Sequence, residues 1–200
     1  AHSAIGDVVA TVGIAKIIAN KAPNVWKASL LTIDKNQSLD LIKKELYFCT
    51  NEYFYGKSRP YVQAFVCQHP QYQWPLCFDL KHDPSPYLKM PIQELAAAMK
   101  KQPKFIRTVR HNKHPVIMNP SYGDKFDEYK MIGTAKLQSR AKLIRENKEF
   151  AEKIISIKRS EVEEKEQSKS QDDLYNEESI YAKFTTTEDN KIMPEFHKVE

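Results

Sequence analysis

The sequence predicts an α+β chain, and three observations carry that prediction. Residues 4–20 (AIGDVVATVGIAKIIAN) repeat apolar side chains at helical spacing. Residues 46–118 change to short aromatic and β-branched runs broken by turn residues, and beyond Gly133 the helical period returns. One helix, a strand-rich middle and a second helical region therefore follow one another. With 41% hydrophobic residues among 200, the chain can build a globular core in one or two domains.

The first helix carries Ile5, Val8, Val9, Val12 and Ala15 on one stripe and Ile14 and Ile18 on another. A helix apolar nearly all round is normally buried between other elements. Nothing before it in the sequence covers the second stripe, so its packing partners are expected in a missing amino-terminal domain. Strands are expected at 46–50, 61–68, 74–80, 105–110 and 115–118, with His69-Pro70-Gln71-Tyr72 as the hairpin turn between the second and third. Pro91 opens a short helix over 92–99. Five short strands around one helix suggest a small barrel-like domain. Leu137, Leu143, Ile144, Phe150, Ile154, Ile155 and Ile157 then recur at near-helical spacing. Residues 158–172 have almost no apolar content and read as a solvated helix end or linker, and 174–200 as the start of a further region.

Charge is uneven along the chain. Residues 1–145 hold 22 Lys/Arg against 11 Asp/Glu, whereas 146–200 hold 9 against 15, so the net +5 conceals a strongly basic first part. Such an excess attracts a polyanion such as a nucleic acid, although a solvated basic surface has the same composition. No run of eighteen apolar residues and no signal-peptide pattern occurs, which points to a cytoplasmic chain without a membrane segment. Cys49, Cys67 and Cys77 are odd in number and form no Cys-x-x-Cys pair, so buried reduced thiols are expected. Cys67, His69, Cys77 and His82 fit no common structural zinc spacing.

The opening Ala1-His2-Ser3-Ala4-Ile5-Gly6-Asp7 is chemically suggestive. A five-residue step on a helix rotates by about 140°, so His2 and Asp7 can cooperate only if His2 lies on the loop entering the helix. Asp7 could then ligate a divalent cation while His2 takes a proton from a metal-bound water. A surface histidine and a helix-stabilising aspartate explain the same spacing. Basic and aromatic residues interleave at Tyr53-Phe54-Tyr55-Gly56-Lys57-Ser58-Arg59-Pro60-Tyr61, a combination suited to sequence-tolerant binding of single strands. A second concentration comprises Lys100, Lys101, Lys104, Arg107, Arg110 and Lys113. Strand alternation would send Phe105, Arg107 and Val109 one way and Ile106, Thr108 and Arg110 the other, so this second group need not form one patch.

The opening segment resembles the third motif of the DEDD-type exonucleases, His-x-x-x-x-Asp. Downstream, Arg110-His111-Asn112-Lys113-His114-Pro115-Val116, Leu143-Ile144-Arg145-Glu146-Asn147, His69-Pro70 with Phe78-Asp79-Leu80, and Asp173-Leu174-Tyr175-Asn176 resemble stretches of the bacterial exonuclease I family, in the same order. That resemblance implies the last helix of an RNase H-like exonuclease domain at 1–22, a Src-homology-3-like domain at 23–160, and the start of a helical carboxy-terminal domain at 161–200. It implies Mg²⁺-dependent 3′-to-5′ hydrolysis of single-stranded DNA in repair and recombination, with His2 as general base, Asp7 as a metal ligand, and two Mg²⁺ ions in the complete enzyme. Lys57, Arg59, Arg110, His111 and Lys113 are the expected DNA contacts, His111-Asn112-Lys113 being favoured by its match to the family.

The family also binds the acidic, phenylalanine-ending tail of single-stranded-DNA-binding protein. Lys44 and Arg145 stand at its basic pocket positions, while Ala28 replaces an expected tyrosine; alternatively, Arg145 pairs with Glu149 along a helix. The sequence contains no Asp-x-Glu, which the family requires. The chain alone is therefore expected to be an inactive piece, and a monomer is expected. The rival reading is a non-catalytic module binding single-stranded DNA or that tail; proofreading subunits and oligoribonucleases lack the barrel and helical additions.

Overall fold

The computed structural model describes residues 3–168 and residue 191. Residues 1–160 form one compact unit and 161–200 a second. The expectations at His2 and at 173–176 lie outside the described residues, and of residues 174–200 only Lys191 is described.

Helix α1 spans Ala4–Lys21 and begins at Ser3, whose hydroxyl accepts the Gly6 amide. Its apolar stripes are not covered within this chain. None of its residues is buried, and Ile5 is 78% exposed and Val9 66%. Two further helices precede the sheet and were not legible as periodic stretches. Helix α2 (Pro23–Leu30) starts on a proline, and α3 (Lys35–Lys44) is capped by the Asp34 carboxylate, which accepts from the amides of Asn36 and Gln37.

All five expected strands occur, with shifted ends: β1 Phe48–Phe54, β2 Lys57–Gln68, β3 Pro75–Asp79, β4 Ile106–Thr108 and β5 Ile117–Met118. They form one antiparallel sheet in the order β4-β3-β2-β1-β5. The first two extend beyond their expected limits because they build a hairpin arm. Phe54 pairs with Lys57 across a two-residue loop, and both loop residues have positive φ, 48° at Tyr55 and 76° at Gly56. Such a loop matches the twist of the paired strands, and glycine carries the second positive φ without strain.

Both faces of the sheet are packed. One presents Cys49, Val62, Ala64, Leu76 and Phe78 to a core completed by Leu95 of α5 (Ile92–Lys100), Leu137, Ala141 and Ile144 of α7 (Thr134–Glu146), and Phe150 and Ile154 of α8 (Lys148–Ser168). Two short helices, α4 (Ser85–Lys89) and α6 (Asp127–Lys130), complete the set. The other face presents Phe48, Phe65, Cys77 and Ile117 to Leu41 and Ile42 of α3. Residues 158–168 continue α8, which fits the expected solvated helix end.

The core also encloses a polar cluster. Asp79 is 0% exposed and accepts the Tyr129 hydroxyl at 2.8 Å and the Lys81 amide at 3.1 Å. Burial pushes its carboxyl upward. Arg140 donates to the carbonyls of Leu80 and Lys81, pinning α7 to the end of β3. Burial raises all three thiols, those of Cys49 and Cys67 to about 12, and all three are free.

Candidate nucleic-acid interface

On the α3 side of the sheet, Thr50, Glu52, Arg107 and Val109 run past the cover that α3 provides and open into a groove of about 740 Å³. Lys104, Arg107, Arg110 and Lys113 bring four cations to its wall, against the single carboxylate of Glu52. Strand alternation alone does not separate them. Only Ile106–Thr108 hold strand geometry, and the chain turns at Arg110 into a 3₁₀ segment, His111–Lys113, that swings Arg110 and Lys113 back to the same cavity. Phe105, just before β4, breaks the alternation by packing against Phe78 and Tyr87 in the opposite core.

Glu52 and Arg107 are the residues the sequence did not single out as a pair. Arg107 donates to the Glu52 carboxylate at 2.7 Å, and its guanidinium carbon lies 3.3 Å from the centroid of the Tyr61 ring. Arg110 stands 5.1 Å above the Trp74 ring, which stacks on Tyr72. Two of the four cations are thus held by aromatic rings, which fixes their positions at low entropy cost. Lys57 and Arg59 are exposed on the hairpin arm. Arg59 lies directly across from Glu52, so it shares the groove's face of the sheet.

His111 departs from its neighbours. It does not line the groove; its ring is half-buried, and desolvation, then Lys35 and Lys43 of α3, lower its pKa. Asn112 likewise does not line it, whereas His114 does, with its ring 2.8 Å from the Ser29 carbonyl of α2.

Lys44 and Arg145, about a hundred residues apart, are brought to one place. Arg145 donates to the carbonyl of Lys43, the neighbour of Lys44, and its guanidinium stands 5.6 Å from the Phe65 ring. The alternative pairing with Glu149 does not form; Glu149 bonds Lys153 at 2.7 Å, and the Arg145 side chain turns toward α3 instead. Ala28 is buried in the core, so its side chain adds nothing to a surface pocket here.

Asp7 occupies the first turn of α1 and is exposed. Among the described residues, no group of three or more His, Cys, Asp or Glu side chains could share a metal ion. Mg²⁺ demands near-octahedral oxygen ligation, so Asp7 and its described neighbours do not by themselves fit a two-metal site. No described helix is long and apolar enough to cross a membrane.

No family model matches the sequence, and no curated protein matches it. Solved structures do. The chain is similar to Escherichia coli exonuclease I in complex with a 5cy-dT13 oligonucleotide, with a TM-score of 0.64 and 18% identity over 100% of this chain and 44% of that one. It is similar to the moderately thermophilic exonuclease I from Methylocaldum szegediense, with a TM-score of 0.64 and 17% identity over 100% and 43% of the two chains. The zinc-bound form of the E. coli exonuclease I complex with single-stranded DNA gives 0.64 and 19% over 100% and 44%. The chain spans less than half the length of these proteins. Its described residues have the fold of a part of exonuclease I.

Proposed function

We propose that the chain is the carboxy-terminal part of an exonuclease I, and that its own contribution is to hold single-stranded DNA along the groove beside β4. The observation that carries this reading is the meeting of Lys104, Arg107, Arg110 and Lys113 on one cavity wall, on a fold shared with exonuclease I that binds single-stranded oligonucleotides. Lys57 and Arg59 extend the same basic face, and His111 supports the segment from behind. In the complete enzyme, Asp7 supplies one Mg²⁺ ligand and His2 the general base for 3′-to-5′ hydrolysis in DNA repair. The domain limits follow as 1–22, 23–160 and 161–200, with Lys44 and Arg145 receiving the tail of single-stranded-DNA-binding protein. The protein is cytoplasmic and monomeric in this reading.

A binding module without catalysis describes the chain by itself, because Asp7 belongs to no group of three or more possible metal ligands among the described residues and the sequence has no Asp-x-Glu. The test is a titration of the 200-residue chain with a fluorescent oligo-dT strand across salt concentrations. Four cations opposed by one carboxylate give a log–log salt slope of about −2, taking about 0.7 per neutralised phosphate on single strands. Lys113→Ala should flatten that slope by about 0.7. A salt-independent curve, or one that Lys113→Ala leaves unchanged, removes the groove from the DNA path. Mg²⁺-dependent digestion by the chain alone overturns the binding-module description.

A further inference from the structure

We infer that Arg107, held flat between Tyr61 and the groove by Glu52, is a stacking platform for a nucleobase and not a phosphate contact. The inference rests on the single-strand-binding reading above and specifies what one part of the groove recognises.

The geometry separates the two roles. A guanidinium carbon 3.3 Å from a ring centroid is at van der Waals contact, a distance that leaves room only for a near-parallel stack. Bidentate phosphate binding uses either the Nε/Nη2 edge or the Nη1/Nη2 edge of arginine. Nη2 belongs to both edges, and one of its two N–H groups goes to Glu52 at 2.7 Å. Nε is buried and without a hydrogen-bond partner. Burial of Nε closes the first fork, and in the second Nη2 is shared with Glu52. Glu52 also offsets the charge, so Arg107 adds little to long-range attraction of the backbone. What Arg107 keeps is its flat surface away from Tyr61, and it lines the groove. Arginine planes stack on unpaired bases irrespective of sequence. Lys104, Arg110 and Lys113 lie along the same wall and can follow the phosphates on either side.

The experiment compares oligo-dT with an abasic strand of equal length and phosphate number, each titrated against the 200-residue chain. Wild type should bind oligo-dT more tightly than the abasic strand. Arg107→Lys keeps the charge and loses the plane, so it should weaken oligo-dT by about tenfold while leaving the abasic strand within about twofold. The unchanged abasic affinity then reports an intact groove. Glu52→Ala adds one net positive charge and frees the guanidinium, and should tighten both strands while reducing the ratio between them. Lys113→Ala should weaken both strands alike. Equal wild-type affinity for the two strands, or an equal loss on both in Arg107→Lys, overturns the platform while leaving the strand-binding reading in place. Failure of wild type to bind either strand overturns both.

Discussion

Replacing Tyr129 by phenylalanine tests the buried polar cluster behind the sheet. The substitution removes one hydroxyl and keeps a ring that is 1% exposed, so no large cavity opens. The lost hydroxyl donates at 2.8 Å to Asp79 Oδ1, leaving the Lys81 amide as that oxygen's remaining hydrogen bond. Oδ2 has no hydrogen-bond partner, and the Lys81 ammonium is 4.0 Å away. A hydrogen bond to a buried charged acceptor contributes roughly 1.5–3 kcal/mol, so the expected loss at neutral pH is about 2 kcal/mol. Its pH dependence has a definite sign. Burial raises the Asp79 pKa above 3.8, against the hydrogen bonds from Tyr129 and Lys81 and the nearby charges of Lys81 and His82. The folded chain thus keeps this proton to higher pH than the unfolded chain, and stability falls as pH rises from 3.8 through the raised value. Without the hydroxyl the ionised form is still less favourable, so the penalty of Tyr129→Phe should be largest at neutral pH. It should shrink toward that of a neutral hydrogen bond, about 1 kcal/mol, in acid. Urea unfolding of both proteins at about pH 4.5 and about pH 7.5 measures this. A penalty below about 0.5 kcal/mol, or one that grows on acidification, refutes the reasoning.

Three further outcomes are expected. Gly123→Ala places a Cβ 2.3 Å from Cγ2 of Val62, a fully buried side chain; overpacking should cost about 1–3 kcal/mol in urea unfolding, and wild-type stability would show that the segment yields freely. The thiols of Cys49, Cys67 and Cys77 should resist alkylation at neutral pH in the native chain and react after denaturation, because burial raises all three. Rapid native modification of any one contradicts that packing. Arg145→Glu should abolish binding of an acidic peptide ending in phenylalanine, measured by anisotropy, and superimposable curves would remove the Lys44–Arg145 pocket.

Much of the sheet was legible because its strands obey alternation. Val62, Ala64, Leu76 and Phe78 alternate toward one core, and their sequence signal is strong. The hairpin arm was under-read for the same reason: Asn51, Glu52, Ser58 and Arg59 are polar, and cross-strand pairing rather than burial holds them extended. Helix α3 carried a readable cap at Asp34 and core positions at Leu41 and Ile42, but its remaining polar residues diluted the period. Helix α1 shows apolar residues nearly all round in its sequence, and within this chain most of them stay exposed. The groove shows why site residues are harder to read than strands. Lys104, Arg110 and Lys113 stood out as charges, yet their convergence depends on the 3₁₀ turn after Arg110, which has no periodic signature. Glu52 and Arg107 lie 55 positions apart, and no local pattern links them. Their pairing is a product of strand order, with β1 and β4 on opposite sides of the β2–β3 pair. Tyr61 on β2 lies between them in that order and supplies the surface on which Arg107 rests. The residues that define the groove's chemistry therefore come from three strands, and only the folded sheet makes them neighbours.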